Sequence, residues 1–301
     1  MKNKVKISSD GSMLIYKRGY KPAFVFNYIK DNNLEGLRIF DHFDPLDNLN
    51  FLSEYVFLNR LVITCMKDHD YSFLKHLKNL KSFALSLSVK NDNLLDLTEL
   101  TNLEYLSLAW RKNIKGLENC KKLRTLCIWE FNELDLEKIK ELKNLKELVI
   151  KTASIENLNG IEDLKSLENV ILGNCRKLRS IKGIEALQNL KKIEFDACTK
   201  IVNFDALEGL KKLERLEIVN CKEIDSIGFV KNMKSLKELS LLGNTTIKDA
   251  DMIPAKDIED VVYVHKKNYN IRIRNERHEE LTKKNRAKLK EIEEEYKKSL
   301  S

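Results

Sequence analysis

The chain has 301 residues, 43% of them hydrophobic and 33% charged, so it can bury a substantial core and is not disordered as a whole. Ten glycines and three prolines leave little room for linkers, which favours one continuous body over two separate domains. Lys and Arg exceed Asp and Glu by 54 to 46, a formal net charge of +8, but both signs mix along nearly every stretch; that pattern favours solubility over a dedicated polyanion track.

The first residues, MKNKVKISSDGSMLIYKRG, are basic and polar with no apolar run of signal-peptide length, and no later segment approaches a membrane span. The expected location is therefore cytoplasmic, without membrane contact. Residues 1–33 are predicted to cap a longer structure. KVKIS and SMLIYK flank the turn signal SSDG, which predicts a β-hairpin, and KPAFVFNYIKDNN reads as a short helix.

From residue 34 the pattern L-x-x-L-x-L recurs. Its leading leucines are Leu34, Leu58, Leu80, Leu103, Leu123, Leu145, Leu167, Leu190, Leu213 and Leu236, at steps of 20 to 24 residues, and a degenerate copy begins at Ile258. Across x-L-x-L-x apolar residues alternate with polar ones, the mark of a short strand with one buried face. After each strand the period becomes three, as in Ile155, Leu158, Ile161, Leu164 and Leu167, or Ile201, Phe204, Leu207, Leu210 and Leu213. Side chains at every third residue align on one face of a 3₁₀-like arc.

A unit of this size cannot bury its own leucines, so neighbours must stack into a continuous apolar column. The predicted fold is α/β: a right-handed solenoid over 34–273, with a parallel sheet on the concave face, a short 3₁₀ or irregular convex side, and a closing cap over 245–273. About eleven strands at ~4.8 Å spacing would span roughly 50 Å. Residues 274–301 lack Gly and Pro and place Leu281, Leu289, Ile292 and Tyr296 at near-helical spacing, which predicts a charged terminal helix.

These repeats resemble the leucine-rich-repeat family, most closely the short bacterial units of internalins and SDS22-like proteins. The family's Asn position, eight residues after the leading leucine, holds Cys175, Cys198 and Cys221 in three successive units and Asn244 in the next. The resemblance implies that these thiols replace the Asn that caps loop carbonyls. Arg111, Phe131 and Ala153 stand there in earlier units, whose turns are expected to be less regular. No His or carboxylate recurs beside the cysteines as a zinc shell would require, and there is no CxxC pair, so no metal or other cofactor is expected.

Nucleophile elbows, phosphate-binding glycine loops, HExxH, EF-hand loops and kinase signatures are absent from the sequence. The five histidines, His42, His69, His76, His265 and His278, are scattered along the chain. The chain is therefore read as a non-enzymatic protein-binding module.

The outward positions of successive strands form columns. Trp129, Val149 and Ile171, with Trp110 beside them and Tyr105 at the edge, put aromatic and apolar side chains on the concave face, where such residues mark binding sites. Lys151 follows Trp129 in its column. Glu194, Asp196 and Glu217 make an acidic group on adjacent strands, suited to a basic partner surface. Lys/Asn/Ile-rich repeat proteins of this kind resemble the orphan repeat proteins that accompany bacterial toxins. That resemblance implies an immunity factor whose partner is a toxin protein rather than nucleic acid. The alternative is a regulatory or scaffold subunit of a larger complex, with or without nucleic-acid contact.

Overall fold

The computed structural model describes residues 5–17, 19–40, 46–87 and 93–273. Twelve strands form one parallel sheet in chain order: β1 (Met13–Ile15), β2 (Gly36–Phe40), β3 (Arg60–Cys65), β4 (Ser82–Leu87), β5 (Tyr105–Ala109), β6 (Thr125–Trp129), β7 (Glu147–Lys151), β8 (Asn169–Gly173), β9 (Lys192–Asp196), β10 (Arg215–Val219), β11 (Glu238–Leu242) and β12 (Asp260–Tyr263). The alternation explains each of them. In β7, for example, Leu148 and Ile150 are fully buried while Val149 between them is half-exposed. Each leucine so buried stabilises the fold by roughly 1.5–3 kcal/mol relative to exposure.

The convex side is the predicted 3₁₀ arc. The period-three leucines are also its hydrogen-bonding residues: Leu164 N donates to Ile161 O at 2.9 Å and Leu167 N to Leu164 O at 3.0 Å. The equivalent bonds two units later join Leu207 to Phe204 at 2.9 Å and Leu210 to Leu207 at 3.0 Å. These i→i−3 bonds keep every third side chain on the inner face and the return path narrow.

Two ladders stitch the units together. The Asn that precedes several leading leucines donates to a carbonyl one unit back: Asn79 to Val56, Asn102 to Lys78, Asn144 to Lys121 and Asn189 to Lys165, at 2.8–3.1 Å. The second is the cysteine row. Cys198 Sγ donates to Leu172 O at 3.3 Å and Cys221 Sγ to Phe195 O at 3.4 Å, each reaching the preceding strand. Burial raises the Cys221 thiol to about 12, so it stays protonated and able to donate.

The next rung corrects the sequence reading. Asn244 is exposed; Thr245, at 2% exposure, takes the ladder position. Its hydroxyl donates to Ile218 O at 3.2 Å and accepts from Cys221 N at 3.1 Å. Thr245→Val keeps the shape but strands a buried carbonyl and a buried N–H, so it is expected to destabilise by about 1–3 kcal/mol in urea unfolding.

Earlier units fill the same place differently. Phe131 is fully buried, and Arg111, 5% exposed, lays its guanidinium 5.3 Å from the Tyr71 ring centre. After β6 to β10 the chain leaves the sheet through one left-handed residue per unit: Glu130, Thr152, Asn174, Ala197 and Asn220, at φ of 53–60°. Each donates its N–H to the next strand, as Thr152 does to Gly173 O at 2.8 Å, which is why a strained conformation recurs at one place in each turn.

At the first end, Ser8 N donates to Met13 O and Ile15 N to Lys6 O, bringing residues 6–8 antiparallel to β1, and β1 itself pairs in parallel with β2. The helix α1 (Pro22–Asp31) buries Val25 and Ile29. At the other end the Tyr269 hydroxyl accepts from Ile247 N at 3.2 Å, tying 269 back onto the last full unit. The predicted terminal helix, 274–301, lies outside the described residues.

Candidate protein-binding face

Parallel pairing in constant register sets the concave columns. The central one runs through Val62, Ala84, Ser107, Cys127, Val149, Ile171, Glu194 and Glu217. Beside it stand Ala109, Trp129, Lys151, Gly173 and Asp196. A solenoid sheet is a rigid support, because each strand is held by two neighbours and a packed column beneath.

The central feature of this face is a hollow of about 270 Å³ over β3–β6. Its floor is made of short side chains, Ala84, Ser86, Ser107 and Ala109. Val62 bounds it on one side, and Trp129 and Glu130 bound it on the other. The indole of Trp129 is 42% exposed. The hollow exists because two successive strands, β4 and β5, carry small residues at outward positions and the next, β6, carries the largest one.

Around it, Tyr105 is 37% exposed at the start of β5, and burial is the main cause that raises its phenol above the ordinary value. Cys127 is half-buried, and burial followed by the charge of Glu147 raises its thiol too. A thiol shifted upward is not an activated nucleophile. Val149 and Ile171 are half-exposed on adjacent strands. Lys151 lays its stem over Gly173, with its Cγ 3.3 Å from where a Cβ would stand, and keeps its charge exposed.

Two placements differ from the sequence reading. Trp110 is not on the open face: it follows the end of β5, packs edge-on against the buried Phe131 at 4.7 Å, and donates from Nε1 to Glu133 at 3.0 Å. It is a rim residue held by the next turn. The acidic group is also not free. Lys192, at the start of β9, puts its ammonium 2.9 Å from Glu217 and 3.8 Å from Glu194, and Asn220 donates to Asp196 at 3.1 Å. Lys192 lies in the outermost strand column, so a reading confined to the two columns behind it misses the counter-ion.

Among the described residues, no group of three or more His, Cys, Asp or Glu side chains could hold a metal ion. No described helix is long and apolar enough to cross a membrane.

No protein-family profile and no curated protein matches the chain. Solved structures do. The chain is similar to a TLR13–ssRNA13 complex at 17% identity and a TM-score of 0.57, covering 81% of this chain and 42% of that one, less than half of its length. It is also similar to an internalin, inlF of Listeria monocytogenes, at 16% identity and a TM-score of 0.48, covering 85% of this chain and 87% of that one. A third is the functional domain of InlJ from Listeria monocytogenes, which includes a cysteine ladder, at 14% identity, a TM-score of 0.48, and 84% and 63% coverage. At these identities the likeness is one of fold.

Proposed function

We propose that this leucine-rich-repeat solenoid is a non-enzymatic protein-binding module that holds its partner on the concave sheet, with the hollow beside Trp129 as the anchor point. The observation that carries the reading is an indole 42% exposed on a rigid sheet next to a floor of small side chains. Tryptophan is among the residue types most enriched in binding hot spots, and a pocket beside it accepts one protruding side chain of the partner. The specific function we favour is that of a cytoplasmic immunity factor that covers the working surface of a toxin protein. It rests on the sequence resemblance, and a toxin gene adjacent to this one would support it.

The test is capture of a partner from lysate of the native cell by Trp129→Ala combined with Glu194→Lys. Capture is expected to fall by about tenfold or more while the circular dichroism spectrum is unchanged. Unaltered capture overturns the concave-face reading.

A further inference from the structure

Because all twelve strands run parallel, every strand begins on the same edge of the solenoid. The two residues before each leading leucine and the two after it therefore come together in space, however far apart they lie in the chain. Over the eight units led by Leu80 to Leu236 these positions hold fifteen Lys and Arg against five Glu. The convex returns 117–119, 136–142, 158–164, 180–187, 203–210 and 226–233 show the opposite balance, eight carboxylates against four lysines. Charges that look mixed along the sequence are sorted by repeat position onto two different surfaces.

Part of this edge is neutralised by carboxylates at the ends of the adjoining returns. Lys78, Lys121 and Lys143 reach Glu99, Glu141 and Asp163 of the following unit at 2.7, 3.7 and 3.6 Å. From there the acidic partner stops, its position being taken by Ala186, Gly209 and Asn232. Glu168 binds two lysines at once, Lys146 at 2.8 Å and Lys191 at 2.7 Å, and these hold its carboxyl down at about 2. Lys81, Lys122, Arg124, Lys165, Lys211 and Lys234 are exposed and make no ion pair among the described residues.

We infer that the strand-start edge is a second interaction surface, and that it docks an acidic face of a partner protein. A polypeptide fits better than a phosphate backbone. Glu104, Glu147, Glu168, Glu214 and Glu238 interrupt the row of cations, so a uniform rail of phosphates would meet a carboxylate in five of the eight units. A protein face can place its own side chains around these carboxylates. The edge adjoins the concave sheet, so an acidic rim on the partner would speed encounter and fix orientation while the hollow holds the anchor.

Poly-L-glutamate serves as the probe, with a duplex oligonucleotide alongside. Lys122→Glu, Arg124→Glu and Lys211→Glu combined are compared with Lys138→Glu, Lys182→Glu and Lys231→Glu on the convex returns, an equal change in net charge. The parent is expected to bind poly-L-glutamate with an affinity that falls steeply between about 50 and about 200 mM salt. The edge variant should lose about tenfold or more, and the convex variant less than about threefold. Lys122→Gln, Arg124→Gln and Lys211→Gln combined give a gentler substitution if charge reversal perturbs folding. Equal losses in the two triple variants would mean that net charge alone drives binding, and would overturn the proposal. So would edge-dependent binding to the duplex that is tighter than binding to poly-L-glutamate. Neither readout involves Trp129, so the outcome is separate from that of the concave-face test.

Discussion

Phe195→Ala is expected to destabilise the protein by about 3–5 kcal/mol, the range for truncating a fully buried aromatic side chain. Phe195 is an inward residue of β9 at 0% exposure, packed edge-on against Phe204 at 5.2 Å, and Phe204 in turn stacks on Phe229 of the next unit at 6.2 Å. The cavity would open beside the contact between two units, and neither can close it without moving the other. In a stacked array each unit leans only on its neighbours, so the loss should be local in its first effect. Hydrogen exchange is expected to accelerate over 192–219 while protection over 105–151 persists, and the urea midpoint should fall. Uniform acceleration along the whole chain would instead indicate a single cooperative unit.

The fold was legible because its two periods are written in the sequence. Alternation over Leu148, Val149 and Ile150 defines a strand with one buried face, and the step of three through Leu158, Ile161 and Leu164 defines the return. The position of each residue after its leading leucine then fixes the register, which is why Cys127, Val149 and Ile171 stand side by side as their repeat positions require. Counting fails where a turn holds one extra residue. Asn244 is eight residues after its leading leucine, as Cys221 is, yet the buried polar group in that turn is Thr245. The signal available was chemical rather than positional: of the two, the shorter hydroxyl fits a rung otherwise occupied by thiols.

The binding face was legible in part. Trp129 emerged from parity alone, since it occupies an outward strand position. Trp110 did not obey the same rule, because β5 ends at Ala109 and the next side chain belongs to a turn, where alternation no longer says which way it points. The small-residue floor was readable as Ala84, Ser107 and Ala109 in successive strands, but a hollow has meaning only once the neighbouring Trp129 gives it a wall. The charge sorting onto the strand-start edge is invisible to any window along the chain, because it arises from stacking. Lys122 and Lys143 lie 21 residues apart in sequence but one unit apart in space.

Gly116→Ala is the second substitution with a large expected effect, about 2–5 kcal/mol, because two penalties combine. The residue opens the 3₁₀ turn Leu117–Asn119 at φ +77°, where an L side chain is disfavoured by roughly 1–2 kcal/mol. A Cβ there would also fall 2.3 Å from Thr98 N and 2.5 Å from Thr98 Cα. That backbone cannot yield easily: Thr98 N donates to Asp96 at 2.9 Å, Leu97 N donates to Lys115 O at 2.8 Å, and 95–96 pairs in parallel with 114–115. Gly11→Ala makes the comparison informative. Its φ is +74° but nothing stands within 4 Å, so only the backbone penalty of roughly 1–2 kcal/mol applies. A fall in melting temperature much larger for Gly116→Ala than for Gly11→Ala would locate the excess in the packing of one unit against the next. The two units concerned also carry Ala84 and Ser86, and Ser107 and Ala109, which together make the floor of the hollow. Partner capture is therefore expected to weaken with Gly116→Ala and to survive Gly11→Ala, since shape at the concave face depends on how closely the convex returns can stack.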